Sequence, residues 1–198
     1  MRSPRRSAVF VTIVLSAVAT ALPATPAHGA GCSTSSSSSC APATPKQSGP
    51  RSLIGTPAPA TVGTNLTGSG TIDLADSNGE PTAVVFWLNT CPHCHATLPG
   101  VEALSRKLGN AGQILTGAID LGAKGADGFE TPAAAVKTLK LSMPTALITR
   151  ELADQWKIDS TPTAFVVDAQ GTIRAVVLPS EDPAQFTKAL HRALRRTH

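Results

Sequence analysis

The sequence predicts an α/β domain in which a mixed central sheet is flanked by helices on both faces and preceded by an N-terminal β-hairpin extension. Three observations support this prediction. Short apolar, β-branched segments alternate along the chain with segments of helical periodicity. The run TAVVFWLN at residues 82–89 is apolar nearly throughout, as expected of a strand covered on both faces. A D-A-Q-G turn at residues 168–171 joins two further apolar segments, which indicates an antiparallel pair.

Residues 1–30 differ in character from the rest of the chain. Arg2, Arg5 and Arg6 precede an apolar run at residues 8–22, and the small-residue segment PATPAHGA follows it. This order is typical of a secretory signal peptide. The apolar run is shorter than the roughly twenty residues that a membrane span needs, with an uncleaved anchor as the alternative. We therefore expect an exported protein.

The net charge gives no indication of a nucleic-acid partner. The chain carries a formal charge of +4, and three of its arginines lie in the predicted leader, so the exported part is nearly neutral. A nucleic-acid-binding domain would concentrate far more basic charge on one face. We expect no nucleic-acid partner.

Residues 31–54 are rich in Ser and Pro and are predicted to form a flexible tether. A single domain follows at residues 55–198, which is long enough for one hydrophobic core. Cys32 and Cys40 lie in the tether, and neither is assigned a catalytic role. The segment G-A-G-C resembles a lipoprotein signal, so Cys32 is a candidate for lipidation; a Cys32–Cys40 disulfide is the alternative.

The first half of the domain reads as a hairpin, a buried strand and a helix. TIDLAD at residues 71–76 and the run at residues 82–89 flank the turn residues SNGE, which predicts that these two segments pair. From Pro92 the apolar residues recur at helical spacing, and the helix is expected to end at Gly109 with a kink at Pro99.

The second half continues the alternation. QILTGAIDL at residues 113–121 predicts a buried strand, and after a Gly-rich loop Thr131 caps a helix that begins at Pro132. The remaining predictions are a short extended piece at residues 143–148, a short helix at 150–157, two strands within 163–178 and a final helix with Phe186, Leu190 and Leu194 facing inward.

The hexapeptide T-C-P-H-C-H at residues 90–95 has two interpretations. Cys91 and Cys94 could attach a haem whose iron His95 would ligate, or they could form a redox dithiol. A haem usually needs a second axial ligand, and Met143 is the available methionine outside the leader. The buried strand before the motif and the alternating domain favour the dithiol. His95 is then expected to face solvent. A zinc site is disfavoured because the domain has no second close pair of ligands.

In the dithiol interpretation Cys91 is the candidate nucleophile. It lies where a strand gives way to a helix, and the first turn of a helix stabilises a thiolate through its N–H groups and dipole. Cys94, one turn further on, is the candidate resolving thiol. Pro92 and His93 stand between them as candidate redox-tuning residues, because an imidazole beside Cys91 would lower the pKa of its thiol and make the disulfide more oxidising. The alternative is that His93 is simply an exposed turn residue.

With VVFWLNTCPHC at residues 84–94 and STPTAFVVDAQG at residues 160–171, the chain resembles the TlpA/ResA-type thioredoxin-like proteins, which are extracytoplasmic thiol–disulfide oxidoreductases. The resemblance covers about residues 55–195. It implies a thioredoxin fold, protein thiol or disulfide substrates, a redox partner in the membrane or cell envelope, a monomer and no cofactor. It also implies that Pro162 is cis, and that Thr161, Pro162 and Trp87 contribute to substrate binding.

The chain departs from that family at two positions. Val85 stands where thioredoxins have a buried Asp, and Thr97 stands where many TlpA/ResA-like proteins have a Glu. Both usual internal bases are missing, which together with His93 favours oxidation of substrate thiols over reduction of disulfides. A c-type cytochrome carrier and a non-catalytic thioredoxin-like binding module are the alternative functions. The expected location is the cell envelope or the exterior, with a lipid anchor if Cys32 is modified.

Overall fold

The computed structural model describes residues 48–197, so the predicted signal peptide, Cys32 and Cys40 lie outside the described residues. The strands are β1 (Val62–Asn65), β2 (Thr71–Asp73), β3 (Thr82–Trp87), β4 (Gln113–Asp120), β5 (Thr145–Thr149), β6 (Thr163–Val167) and β7 (Ile173–Val177). The helices are α1 (Pro92–Leu108), α2 (Pro132–Thr138), α3 (Arg150–Gln155) and α4 (Pro183–Leu194), with short 3-10 helices at Pro50–Leu53 and Gly109–Ala111.

Within these residues the strands form one seven-stranded mixed sheet in the order β2-β1-β5-β4-β3-β6-β7. Strand β3 pairs in parallel with β4 and antiparallel with β6. Every residue of β3 is buried, which explains its continuous apolar sequence. The central part of the sheet agrees with the prediction, and the segment predicted as a short extended piece is the full strand β5, paired in parallel with β4.

Alternate side chains of β3 enter two separate hydrophobic cores on opposite faces of the sheet. Ala83, Val85 and Trp87 pack with residues of α1, α2 and α4. Val84 and Phe86 pack on the other face, where Trp156 follows α3. The ring of Trp156 lies 5.0 Å from that of Phe86, and its Nε1 donates a 2.8 Å hydrogen bond to Thr61 Oγ1. Helices therefore cover both faces, as predicted.

The N-terminal β-hairpin extension is present, but its strands are β1 and β2, with Val62 opposite Asp73. The predicted pairing of residues 71–76 with residues 82–89 is wrong. Strand β2 ends at Asp73 because its carboxylate accepts hydrogen bonds of 3.0 Å from the N–H groups of both Thr61 and Ala75, which turns the chain away. Strand β1, VGTN, has too little apolar alternation to be recognised, and it joins the hairpin to β5.

The ordered fold begins before the predicted boundary at residue 55. Pro50–Leu53 forms a 3-10 helix with Pro50 buried, and the hydroxyl of Ser52 donates to the Gly49 carbonyl at 2.7 Å. Residues 55–58 then run beside β7, where the N–H of Gly55 donates to the Ile173 carbonyl at 2.8 Å. The Ser- and Pro-rich composition gave no indication of this ordered segment, because its order depends on hydrogen-bond partners far along the chain.

Glu102 connects the middle of α1 to the segment that leads into β5. Its buried carboxylate accepts hydrogen bonds from the N–H of Ser142 at 2.9 Å and the N–H of Met143 at 3.1 Å, and also from the Ser142 hydroxyl. Arg106, one turn along the helix, pairs with it at 3.0 Å. Burial raises the pKa of Glu102, but these hydrogen bonds outweigh it and hold the pKa below its usual value.

Candidate active site

Cys91 caps the N-terminus of α1. The buried strand β3 ends at Trp87, and four residues later the extended backbone of Cys91 places its sulfur over the first helical turn. The sulfur accepts a 3.2 Å hydrogen bond from the N–H of Cys94. Pro92 occupies the first helical position, where its missing N–H costs no hydrogen bond. A thiolate at this cap satisfies an N–H group that the helix itself leaves unpaired.

The second motif recognised in the sequence lies directly against the first. The Cys91 thiol donates to the carbonyl oxygen of Thr161 at 3.6 Å. The Thr161–Pro162 peptide bond is cis, and Pro162 is buried while Thr161 is partly exposed. Cys91 is itself partly exposed, so a substrate sulfur can reach it beside the Thr161 backbone.

The two thiols have strongly different pKa values. A hydrogen bond from the Cys94 thiol is the main reason that the pKa of Cys91 falls to about 5. Burial of Cys91 opposes this shift and raises the pKa. Thr161, the Cys94 N–H and the charge of His93 each lower the pKa by a smaller amount. Burial raises the pKa of Cys94 far above its usual range. The pair, which is in the dithiol form, thus consists of an accessible thiolate and a buried, protonated thiol.

Pro92 and His93, the predicted redox-tuning residues, are both exposed at the start of α1. The charge of His93 lowers the pKa of Cys91, but it is the smallest of the effects acting there. Exposure explains this, because solvent screens an exposed charge. The neighbouring thiol and backbone determine most of the shift.

His95 does not face solvent, so that expectation is wrong. Its side chain is partly buried and stacks on Phe129, with ring centroids 3.7 Å apart and planes inclined by 16°. Its Nε2 lies 2.8 Å from the carbonyl oxygen of Asn89 and, facing an acceptor, carries the hydrogen. The nitrogen that would ligate a haem iron is therefore already occupied, and Met143 is buried beside Glu102.

Asn89 is a site residue that sequence reasoning missed. It is buried, and its Nδ2 donates to the carbonyl oxygens of Ala123 at 3.1 Å, Phe129 at 2.9 Å and Glu130 at 3.4 Å. At Gly125 any side chain would collide with the Phe129 carbonyl. Asn89 and His95 together hold the loop at residues 121–131 against the turn that carries Cys91. The one feature of the sequence that could have indicated this role is the position of Asn89 in the turn between a strand and a helix.

Trp87, which was predicted to contribute to substrate binding, lies inside the core. It is fully buried among the residues under α1, and its Nε1 donates to Thr116 Oγ1 at 3.3 Å. Val85 and Thr97 are buried as well. The groups that act on Cys94 are Cys91, Thr161 and the backbone of Leu88, none of which is a carboxylate or an imidazole. None of these groups therefore replaces the internal base that is missing at positions 85 and 97.

A cleft of about 180 Å³ opens beside Thr161. Its floor is apolar and includes Leu88, Ile119 and Ile158, while Arg150 and Asp159 line it with charge. Within residues 48–197, no group of three or more His, Cys, Asp and Glu side chains is arranged to hold a metal ion. None of the helices in that range combines the length and apolar character that crossing a membrane requires.

Comparison with known proteins gives the family. A model of the thioredoxin-like domain family matches residues 70–194. A thiol:disulfide interchange protein of the thioredoxin family from Chlorobium tepidum is 24% identical, with a TM-score of 0.54 over 70% of this chain and 96% of that one. StoA from Bacillus subtilis is 20% identical, with a TM-score of 0.52 over 68% of this chain and 97% of that one.

The exposed lipoprotein thioredoxin of Streptococcus pneumoniae is also 20% identical, with a TM-score of 0.55 over 68% of this chain and 99% of that one. At these identities the likeness shows the fold. The curated proteins contain no significant match. The thioredoxin fold predicted from the sequence is confirmed, and because the family model spans more than half of the sequence, this chain belongs to the thioredoxin-like domain family.

Proposed function

We propose that this chain is a thiol–disulfide oxidoreductase that works through Cys91 and Cys94. The observation that carries the proposal is the asymmetry of the pair. The Cys91 sulfur is accessible and caps the N-terminus of α1, and the pKa of its thiol is lowered to about 5. Cys94, one turn away, is buried and protonated. This is the arrangement of an attacking thiol and a resolving thiol.

Oxidation of a substrate dithiol proceeds in two exchanges. A substrate thiolate attacks the Cys91 sulfur of the disulfide form, so that a substrate–Cys91 bond forms and the Cys91–Cys94 bond breaks, and Cys94 leaves and takes up a proton. A second substrate thiolate then attacks the first substrate sulfur, and Cys91 leaves as a thiolate. The substrate loses two electrons and the active site gains them. The low pKa of Cys91 makes it a good leaving group in this second step.

A polypeptide substrate fits the site better than a small thiol. The Thr161 backbone lies beside Cys91 and can hydrogen-bond to an extended chain, and the adjacent cleft can receive a side chain next to the substrate cysteine. The apolar floor favours an apolar residue there, and Arg150 and Asp159 offer partners for a polar one. Thr161 and Pro162 are therefore proposed as substrate-binding residues.

The direction favoured by the site is oxidation. The pKa of Cys91, about 5, lies between those of thioredoxin, about 7, and of the strong oxidant DsbA, about 3.5. A stabilised thiolate stabilises the dithiol form, which makes the disulfide form the better oxidant. The missing bases at Val85 and Thr97 add to this, because reduction of a substrate disulfide requires Cys94 to lose its proton.

A glutathione redox titration of the wild-type protein tests the proposal. We expect a reduction potential above that of thioredoxin, about −270 mV, and below that of DsbA, about −120 mV. Cys91→Ser should abolish exchange, and in Cys94→Ser the attack of Cys91 on a peptide disulfide should trap a mixed disulfide, with the other peptide sulfur leaving as a thiol. A potential at or below that of thioredoxin would overturn the direction. Full biological activity of a Cys91→Ala variant in cells would support the alternative of a non-catalytic thioredoxin-like module.

We further propose that the protein acts outside the cytoplasm and is recycled by a redox partner in the membrane or cell envelope. The predicted leader at residues 1–30 supports export. The intact mass of the protein recovered from cells tests both the cleavage and the lipidation of Cys32. We propose a monomer, which sedimentation would check. No observation favours the haem carrier, and the engaged Nε2 of His95 argues against it.

A further inference from the structure

We propose that the far ends of α1 and α4 form a basic pole that docks this domain on an anionic phospholipid surface. The basic pole consists of Lys107 near the end of α1 and, along α4 and just after it, Lys188, Arg192, Arg195 and Arg196. This interaction is separate from the thiol exchange, but its consequence for substrate access rests on the proposed function.

The basic side chains converge on one region of the surface. Lys107 and Lys188 line one cleft between the two helices, together with His191. Lys188, Arg192 and Arg195 line a second, adjacent depression. A third depression brings Arg192, Arg195 and Arg196 beside Ala111, in the 3-10 helix that follows α1. These cations therefore form one continuous patch rather than scattered surface charges.

Within residues 48–197, no acidic side chain forms an ion pair with this patch. The sequence from Pro183 to Thr197 contains no Asp or Glu. Among the described residues the ion pairs are Arg106–Glu102, Arg150–Asp154 and Arg174–Asp168, and none involves a member of the basic pole. Glu102 is the acidic residue on the second half of α1, and it is already bonded to Ser142 and Met143. The positive charge of the patch is therefore not balanced by an acidic side chain of the described residues.

The end of a helix alone does not account for this distribution. The dipole favours cations within the last turn of a helix, and the effect falls off beyond it. Lys188 lies in the middle of α4, and Lys107 belongs to another helix. The exposed face of α4 thus carries cations at positions 188, 192 and 195, which lie four and three residues apart on one side of the helix.

The cleft next to the cations has a mainly apolar lining, which favours a lipid over an acidic protein as the partner. Besides Lys107 and Lys188 it is lined by the exposed Ala103 and by the largely buried Leu104 and Leu108. Cations beside apolar side chains on an amphipathic helix are typical of segments that lie in the lipid headgroup region. Long Lys and Arg side chains can extend toward phosphate groups while their stems cover apolar surface.

Lys107, Arg195 and Arg196 lie toward the opposite end of α1 from Cys91, whereas Lys188 lies beside Gly100, near the middle of that helix. The helix has 17 residues and begins immediately after Cys91, so its length separates the far end of the basic pole from Cys91 by about 25 Å. A lipid surface that binds the basic pole would therefore leave Cys91, Thr161 and the adjacent cleft facing away from the bilayer. Docking would hold the dithiol at a fixed height, accessible to protein substrates that approach from the aqueous side.

Vesicle binding of the full-length protein tests the proposal. Binding is measured to phosphatidylcholine vesicles with and without phosphatidylglycerol, so that the difference isolates the charge-dependent part. The variant Arg192→Gln/Arg195→Gln/Arg196→Gln should weaken that part by about a hundred-fold, since each cation near an anionic surface contributes about five-fold. Raising the salt from about 0.1 M to 1 M should abolish it, because the Debye length falls from about 10 Å to 3 Å.

The matched control is Lys124→Gln/Lys137→Gln/Lys140→Gln, which removes the same charge from exposed residues outside the basic pole and should leave vesicle binding unchanged. Equal losses in the two variants, or no preference for phosphatidylglycerol, would overturn the proposal. So would binding to polyaspartate without binding to vesicles, since that points to an acidic protein. Thiol exchange with a soluble peptide should be the same in all three proteins, which separates this test from that of the proposed function.

Discussion

The N–H of Cys94 donates a 3.2 Å hydrogen bond to the sulfur of Cys91, so the resolving residue of the pair also stabilises the thiolate of its partner. The Cys94 thiol adds a second hydrogen bond, which is the main cause of the low pKa of Cys91. The two cysteines are therefore coupled before any exchange takes place. Removal of one changes the acidity of the other.

This coupling predicts that Cys94 has a larger effect than His93 on the nucleophile. We expect His93→Gln to raise the pKa of Cys91 by less than one unit, because the imidazole charge is exposed and makes the smallest contribution. Cys94→Ala should raise it by more, because it removes the thiol hydrogen bond. The ultraviolet absorbance of the thiolate, followed against pH, measures both values. A larger shift in His93→Gln would mean that charge, not hydrogen bonding, sets the acidity.

The second prediction concerns the pH dependence of the resolving step. Burial raises the pKa of Cys94, so the fraction of its thiolate should increase about ten-fold for each pH unit through neutrality. Release of a peptide from a mixed disulfide with Cys91 should accelerate accordingly in rapid-mixing experiments, with no plateau below about pH 8.5. Alkylation of Cys91, by contrast, should level off above its pKa of about 5. A plateau in the release rate near neutrality would reveal an internal base.

Asn89 is predicted to control the order of the loop at residues 121–131. Asn89→Ala leaves the carbonyls of Ala123 and Phe129 without their donor, which should cost about 1–3 kcal/mol of folding free energy. Amide hydrogen exchange should increase in that loop and at Cys91, but not in β6. His95→Leu is the comparison variant: it removes one hydrogen bond to the carbonyl of Asn89 and the stacking on Phe129, but leaves the three hydrogen bonds of the Asn89 amide in place. Unchanged exchange in the loop of Asn89→Ala would contradict the role assigned here.

Glu102 is predicted to contribute to stability in a pH-dependent way. Glu102→Gln places an amide group where two N–H donors converge, and we expect a loss of about 1–3 kcal/mol in urea unfolding at neutral pH. The folded pKa of Glu102 lies below its unfolded value of about 4.3. Its contribution is therefore complete above that value and is lost as the pH falls through the folded pKa.

Two comparisons check this interpretation of Glu102. The difference between wild type and Glu102→Gln should shrink progressively in acid. Arg106→Gln removes the exposed partner of the same carboxylate and should cost less than about 1 kcal/mol, because exposed ion pairs contribute little. An equal cost for the two variants would assign the effect to the ion pair instead.

The sequence was sufficient to predict the elements whose apolar pattern is strong. The continuous run of β3, the helical spacing of α1 and the inward face of α4 with Phe186, Leu190 and Leu194 all agree with the structure. The motifs at Cys91 and Thr161 were also recognisable, although only the fold brings the Cys91 sulfur to 3.6 Å from the carbonyl oxygen of Thr161. Strand β1 was missed because VGTN has almost no apolar alternation, and the hairpin was consequently assigned to the wrong strands.

The errors at the site have a common cause. The partners of Asn89 lie 34 to 41 residues away in a Gly-rich loop without periodicity, so its role could not be inferred from local sequence. His95 was placed in solvent because its stacking partner, Phe129, belongs to the same loop. The burial of Trp87, by contrast, follows from local sequence, since it lies on the same face of β3 as Val85 and Ala83, which is the face covered by α1.

The hairpin of β1 and β2 has a consequence for solubility. Without it, β5 would form an open sheet edge, with unpaired backbone groups that could recruit strands of other chains. The hairpin replaces that edge with β2, which is only three residues long, and at the other end residues 55–58 hydrogen-bond to the start of β7 at Ile173. In the proposed function, the protein would meet exposed strands of incompletely folded, thiol-bearing chains repeatedly. Short and covered edges give those strands little to pair with, so each encounter can end in sulfur exchange rather than in aggregation.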